Sequence, residues 1–374
     1  MLTPGEARQR AIEAAGLDDF GGDDFEEGLA RALDAFAGLP LNAAGRAGAE
    51  AAIVGSLAGR LRIEDYWKRH PELADMPVEG PILVTGLPRT GTTATVAMMA
   101  LDRRFRFLRA WEAVQPLPPP VLAGEAADPR AVAAREAAAK HANQAMHLSD
   151  PDGPEEDLVF LAGLTMRAYH GAFPMPDSFV DWWIGADFTA TYRWHRKVLQ
   201  ILHSRRPPRL WLLKAPPHLF RLDEFVAEYP DARIVMTHRD PASVIASDSS
   251  LRYHLNCERC DMTGFDKRSY GPRLLRFWQE GMDRALAARA RIGEDRFVDL
   301  RNADVVADPV GSFEQVYAGL GMAVTPELRA AIADYGRRNA QGAHGEHRYT
   351  AEEYGLTRES IREAFRDYVE RFGL

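Results

Sequence analysis

An α/β fold, a parallel sheet flanked by helices, is predicted from three observations. Ile82 to Gly86 (ILVTG) is a short β-prone run that ends in a glycine and feeds a small-residue helix reaching about Ala100. Arg209 to Lys214 and Ala232 to His238 are continuous apolar runs of the kind found in strands covered on both faces, each followed by proline and a helical pattern. The order strand, loop, helix therefore repeats along the chain.

The remaining elements follow in order. Before Pro81, Leu29, Leu33 and Phe36, then Ile53, Leu57 and Leu61, recur at helical spacing, which predicts a helical extension over 1–80. Phe105 to Trp111 (FRFLRAW) reads as a second strand, and the prolines up to Pro120 force an irregular connection. An Ala-rich helix is expected from about Arg130 to Met146. Pro154 with the three acids after it suits the first turn of a helix running LVFLAGLTM. Phe297 to Arg301 adds a strand before a helix containing Phe313 to Leu320, and helices are read around 327–338 and 358–372. The α/β core then spans 81–322, with a helical, aromatic-rich insertion at about 125–205 and a C-terminal helical segment at 323–374. All three parts are read as one structural unit.

Composition narrows the function. With 46% hydrophobic residues the chain can bury a sizeable core, which excludes wholesale disorder. The net charge of −8 argues against sequence-blind nucleic-acid binding, which needs a broad basic face. Arg far outnumbers Lys, so any anion site is local and built on guanidinium forks. The apolar runs fall far short of the roughly 20 residues that span a bilayer, and nothing at the start resembles a signal peptide. A cytoplasmic protein without a membrane span is expected; oligomeric state is not readable.

Two motifs carry chemistry. Gly86-Leu87-Pro88-Arg89-Thr90-Gly91-Thr92-Thr93 has the frame of a P-loop, in which backbone N–H groups and a helix N-terminus face an anion. Thr92 stands where a triphosphate-binding loop carries Lys, and the cation has moved to Arg89. The later apolar strands end in Lys214 and in His238-Arg239, with no Asp placed to hold magnesium, so triphosphate hydrolysis is disfavoured. The second motif is ARIVMTHRDPASVIAS, with Arg239 at a strand end and Ser247 eight residues on.

Together these motifs resemble the sulfotransferase family, in its bacterial branch. FVDLRNADVVADPVGSFEQVYAGLGM is similar to that family's strand, Asp-Pro and helix segment. The resemblance implies a P-loop-like core and a sulfuryl donor, 3′-phosphoadenosine 5′-phosphosulfate (PAPS), with product 3′-phosphoadenosine 5′-phosphate (PAP) and no metal. It implies that Arg89, Thr90, Gly91, Thr92 and Thr93 hold the phosphosulfate, and that Arg239 and Ser247, with Arg348 as a late addition, hold the 3′-phosphate. The two cradles are then expected to be separate, gripping opposite ends of one donor.

For catalysis the resemblance points to Lys214, at the carboxyl end of a strand, as the group that stabilises the transferred charge. The base is open between His218, displaced by a two-proline insertion from the family's spacing, and Glu155 or Glu156, which are equally well read as helix first-turn acids. The acceptor is a small molecule carrying a hydroxyl or amine, weakly favouring a phenol, a sterol or a lipid-like alcohol. Phe179, Trp182 and Trp183 either line its pocket or belong to the core. An atypical P-loop kinase and a non-catalytic PAP- or PAPS-binding protein are the alternatives. Cys257 and Cys260 are read by default as incidental thiols, with half a zinc site or a redox pair as the rivals.

Overall fold

The computed structural model describes residues 1–140, 150–207, 209–339 and 349–374. Five strands, β1 (Ile82–Gly86), β2 (Phe105–Phe107), β3 (Leu210–Lys214), β4 (Arg233–His238) and β5 (Phe297–Arg301), form one sheet in the order β2-β3-β1-β4-β5. Every neighbouring pair is parallel, and Val84 at the centre lies between Lys214 and Val235. From β1 the chain goes out to the edge at β2, returns to β3, and then crosses β1 to reach β4. The winding reverses at β1, which opens a crevice at the carboxyl ends of the central strands.

The strands alternate between two cores. Ile82, Val84, Leu212 and Val235 pack with Val96, Phe313 and Tyr317 on one face. Leu83, Trp211, Leu213, Ile234 and Met236 pack on the other with Trp183, Trp278 and the N-terminal helices. Burial on both faces is why these strands read as unbroken apolar runs. The N-terminal extension forms helices Pro4–Ala15, Glu26–Ala37 and Ala43–Arg69.

Tertiary bonds revise several expected boundaries. Strand character stops at Phe107, because the Glu112 carboxylate accepts the Arg109 N–H at 3.1 Å and starts helix Ala110–Val114. The acidic helix begins at Asp157, not Pro154, since the Glu155 N–H is held by the Leu108 carbonyl at 2.8 Å. The Ala-rich helix covers Pro129–Lys140, and the rest of its expected span lies outside the described residues. The last helix is two, Arg358–Ala364 and Arg366–Phe372, broken at buried Phe365.

Helix Ala43–Arg69 is seated against helix Pro241–Arg259 by close backbone approach. Asn42 caps it, accepting the Gly45 N–H at 2.8 Å and donating to the Glu258 carbonyl at 3.0 Å. A Cβ at Gly45 would stand 2.0 Å from the Arg259 carbonyl oxygen, whereas one at Gly48 would meet nothing within 4 Å. Gly45→Ala is therefore expected to lower unfolding free energy in urea by about 1–3 kcal/mol through overpacking. Gly48→Ala should raise it by about 0.5–1 kcal/mol through helix propensity.

Candidate functional site

The loop after β1 crosses the crevice and opens helix Thr92–Met99. Arg89 has φ 64°, a left-handed conformation rare outside glycine. It is held there from two sides: its Nε donates to Ser247 Oγ at 3.1 Å, and its carbonyl accepts from Arg239 Nη1 at 3.1 Å. Gly91, at φ 96°, admits no side chain, since a Cβ would sit 2.6 Å from Asn302 Nδ2. The buried Thr90 hydroxyl donates to the Leu87 carbonyl at 2.6 Å and shares a 2.6 Å bond with Thr237. Thr90 thus fixes the loop rather than offering a side-chain contact. Gly91 gives helix Thr92–Met99 no side-chain cap, so the N–H groups of its first turn face the crevice without one.

The two motifs touch each other. β1 and β4 are adjacent strands, so the segments leaving their carboxyl ends are neighbours, and Arg89 reaches Ser247 on helix Pro241–Arg259 directly. Among the described residues neither Arg89 nor Arg239 has a carboxylate ion-pair partner. Asp240, next to Arg239, is engaged elsewhere: it receives Arg362 Nη1 at 2.6 Å and Arg358 Nη2 at 2.7 Å from the C-terminal helix. Two uncompensated guanidiniums beside uncapped helix N–H groups make a site suited to a multiply charged anion. Arg348, expected to join it, lies outside the described residues.

On the other side of the loop, Lys214 leaves the end of β3. Its Nζ donates to Glu156 Oε1 at 3.0 Å and to Thr93 Oγ1 at 3.4 Å. The lysine is only 3% exposed, while the Glu156 side chain is 28% exposed and open to an incoming molecule. Glu155 turns away, its Oε1 accepting the Glu156 N–H at 2.9 Å.

Beneath this pair lies a buried network that charge pattern alone does not reveal. Asp157 Oδ1 accepts the Lys214 backbone N–H at 2.9 Å, and its Oδ2 is shared by His195 Nε2 at 2.8 Å and His218 Nε2 at 3.0 Å. Tyr229 and Tyr192 hydroxyls lie 2.7 and 2.8 Å from the Nδ1 atoms of His195 and His218. One assignment satisfies all of them: each tyrosine donates to Nδ1, and each imidazole donates from Nε2 to the carboxylate. Burial pushes the Asp157 carboxyl up, but the two histidines, His218 foremost, pull it below the usual carboxylate range. Burial raises both phenols well above their ordinary value, so they remain donors. His218 is 0% exposed with both ring nitrogens engaged. No nitrogen is left to receive a proton from outside.

The aromatic residues expected near an acceptor divide. Phe179 and Trp183 are buried, Trp183 donating to the Arg167 carbonyl, and Trp182 donates to Glu27. An apolar groove of about 460 Å³ lies instead between helix Ala43–Arg69 and the stretch 159–173. Cys257 is exposed, Cys260 is buried, and they are not bridged. Among the described residues no cluster of three or more His, Cys, Asp or Glu could hold a metal, and no helix is long and apolar enough to cross a membrane.

Comparison with known proteins identifies the family and the fold. The family model described as "Sulfotransferase family" matches residues 81–326. The omega-hydroxy-beta-dihydromenaquinone-9 sulfotransferase Stf3 of Mycobacterium bovis is 24% identical over 314 residues, 78% of this chain and 75% of that protein. The crystal structure of sulfotransferase STF9 from Mycobacterium avium superposes with TM-score 0.91 at 28% identity, covering 100% of this chain and 97% of that one. That of STF1 from Mycobacterium tuberculosis H37Rv superposes with TM-score 0.86 at 32% identity, covering 97% and 98%.

Asp157→Ala strands three buried donors at once, each costing about 1–3 kcal/mol. Urea unfolding at pH 7 should show a loss of at least about 3 kcal/mol. The folded pKa of Asp157 lies below its unfolded value, so its stabilisation is complete above that value, about 3.9, and declines as pH falls toward the folded one. The gap between wild type and variant should therefore narrow below about pH 4.

Proposed function

The chain belongs to the sulfotransferase family, and from that premise we propose that it moves a sulfuryl group from PAPS to the hydroxyl of a lipid-like acceptor by in-line transfer. One observation carries the reading. Two arginines without carboxylate partners converge with Ser247 beside the N-terminus of helix Thr92–Met99, while a lysine–glutamate pair stands on the opposite side of the same loop. An anionic donor and an acid–base pair are thereby served by one crevice.

The residues present suit such a donor. The N–H groups around Gly91 to Thr93 and the forks of Arg89 and Arg239 offer donors and charge for phosphate and sulfate oxygens. Glu156 accepts the acceptor's hydroxyl proton as that oxygen bonds to sulfur. Lys214 and Thr93 meet the charge left on the 5′-phosphate oxygen when the old sulfur–oxygen bond breaks. Positioning and electrostatics supply most of the rate, as in phosphoryl transfer. His218 holds Asp157, which fixes the backbone of Lys214, and so acts by positioning. The Mycobacterium bovis relative, which acts on a menaquinone-derived molecule by its name, supports a lipid-like acceptor over a compact one.

Labelled PAPS incubated with a panel of hydroxylated lipids should yield sulfated product, with ATP and magnesium giving no phosphate transfer. PAP binding in calorimetry without product from any acceptor would instead mark a binding protein. Arg239→Ala should raise KM for PAPS about tenfold or more with little change in kcat, because the contact exists in ground and transition states alike. Glu156→Gln should cut kcat by about 10²–10⁴ while PAP affinity holds. His218→Asn should destabilise the fold yet keep the acidic limb of the pH–rate profile; loss of that limb would return the base to His218.

A further inference from the structure

The apolar groove has an unusual wall. Helix Ala43–Arg69 has 27 residues, and Gly55 and Gly59 sit in its interior one turn apart, both facing the groove. Interior glycine costs a helix roughly 0.5–1 kcal/mol relative to alanine. Close packing explains Gly45 in the same helix but not these two. A Cβ at Gly55 would meet nothing within 4 Å, and one at Gly59 only Leu164 Cδ2 at 3.9 Å. What their missing side chains preserve is the volume of the groove itself.

The opposite wall leads to the chemistry. Val159 and Phe160, in the helix that starts at Asp157, line the groove only three and four residues beyond Glu156, the extended N-cap whose carboxylate pairs with Lys214. Tyr169, His170 and Phe173 border both this groove and a second apolar cavity of about 260 Å³. At that junction the His170 ring packs on Phe36 and Phe179 and has no hydrogen-bond partner among the described residues. Its apolar surroundings lower its pKa to about 4, so at neutral pH it is an uncharged polar handle. At about 460 Å³ the groove alone falls within the 300–1,000 Å³ range of small-molecule sites, and the second cavity shares three of its lining residues.

We infer that this groove receives the hydrocarbon chain of the acceptor, an alcohol whose hydroxyl ends an extended apolar chain, and that Gly55 and Gly59 set the chain length it admits. The inference rests on the sulfuryl-transfer reading above and narrows it to a substrate class. The groove's inner end delivers the hydroxyl to Glu156, and its outer length selects for chain. A compact phenol would leave most of that apolar surface wet.

The test uses the full-length protein and the double variant Gly55→Leu/Gly59→Leu, with PAPS and three alcohols: butanol, dodecanol and geranylgeraniol. Wild type is expected to prefer the two longer alcohols. The variant should lose about tenfold or more in kcat/KM for them, with butanol turnover and PAP affinity unchanged. If the double variant fails to fold, Gly55→Leu alone carries the same comparison. Undiminished long-chain turnover in the folded variant, or no chain-length preference in wild type, overturns the inference while leaving sulfuryl transfer intact. No sulfation of any alcohol by wild type, with PAP bound, overturns the transfer reading and this inference with it.

Discussion

The site depends on one buried carboxylate. Asp157 takes the backbone N–H of Lys214 on one oxygen and two imidazoles on the other, with no exposure to solvent. A charge in such a place persists only when every lone pair facing the interior is satisfied. Here a tyrosine backs each histidine, so the network closes with every N–H and O–H donor used. It ties the end of β3 to the start of helix Asp157–Leu161, and these two places carry Lys214 and Glu156. The position of the Lys214–Glu156 pair is fixed because the network under it is rigid.

The anion side follows a different principle. Among the described residues its arginines are held without carboxylates: the Arg89 guanidinium by the Ser247 hydroxyl, the Arg239 guanidinium by the Arg89 carbonyl. The neighbouring Asp240 could have neutralised Arg239, but the C-terminal helix occupies both its oxygens with Arg358 and Arg362. The last segment of the chain thus contributes to the site by removing a competitor for its cation. The left-handed backbone at Arg89 is local strain offset by the contacts that hold it.

The two halves join because the sheet reverses at β1. Strands on either side of it, β3 and β4, bring a lysine from one direction and an arginine from the other to the same crevice. The helical extension before the sheet then walls the approach. Two of its glycines, Gly55 and Gly59, line the apolar groove.

Much of this was legible in residue order alone. Continuous apolar runs marked β1, β3 and β4 as buried parallel strands, and Gly86 to Thr93 marked the tight loop from β1 into helix Thr92–Met99, because both depend on neighbours in sequence. Composition placed the cation chemistry on arginine. The sequence left the base open between His218, Glu155 and Glu156, and passed over Asp157 among adjacent acids of equal charge. Those distinctions depend on burial and on partners as distant as Tyr192, His195 and Tyr229. It likewise took Phe105 to Trp111 for one strand, where the Glu112 carboxylate diverts the chain after Phe107. Local pattern determines what backbone a segment can form; which polar atom faces solvent and which is consumed by the interior is decided only when distant segments pack.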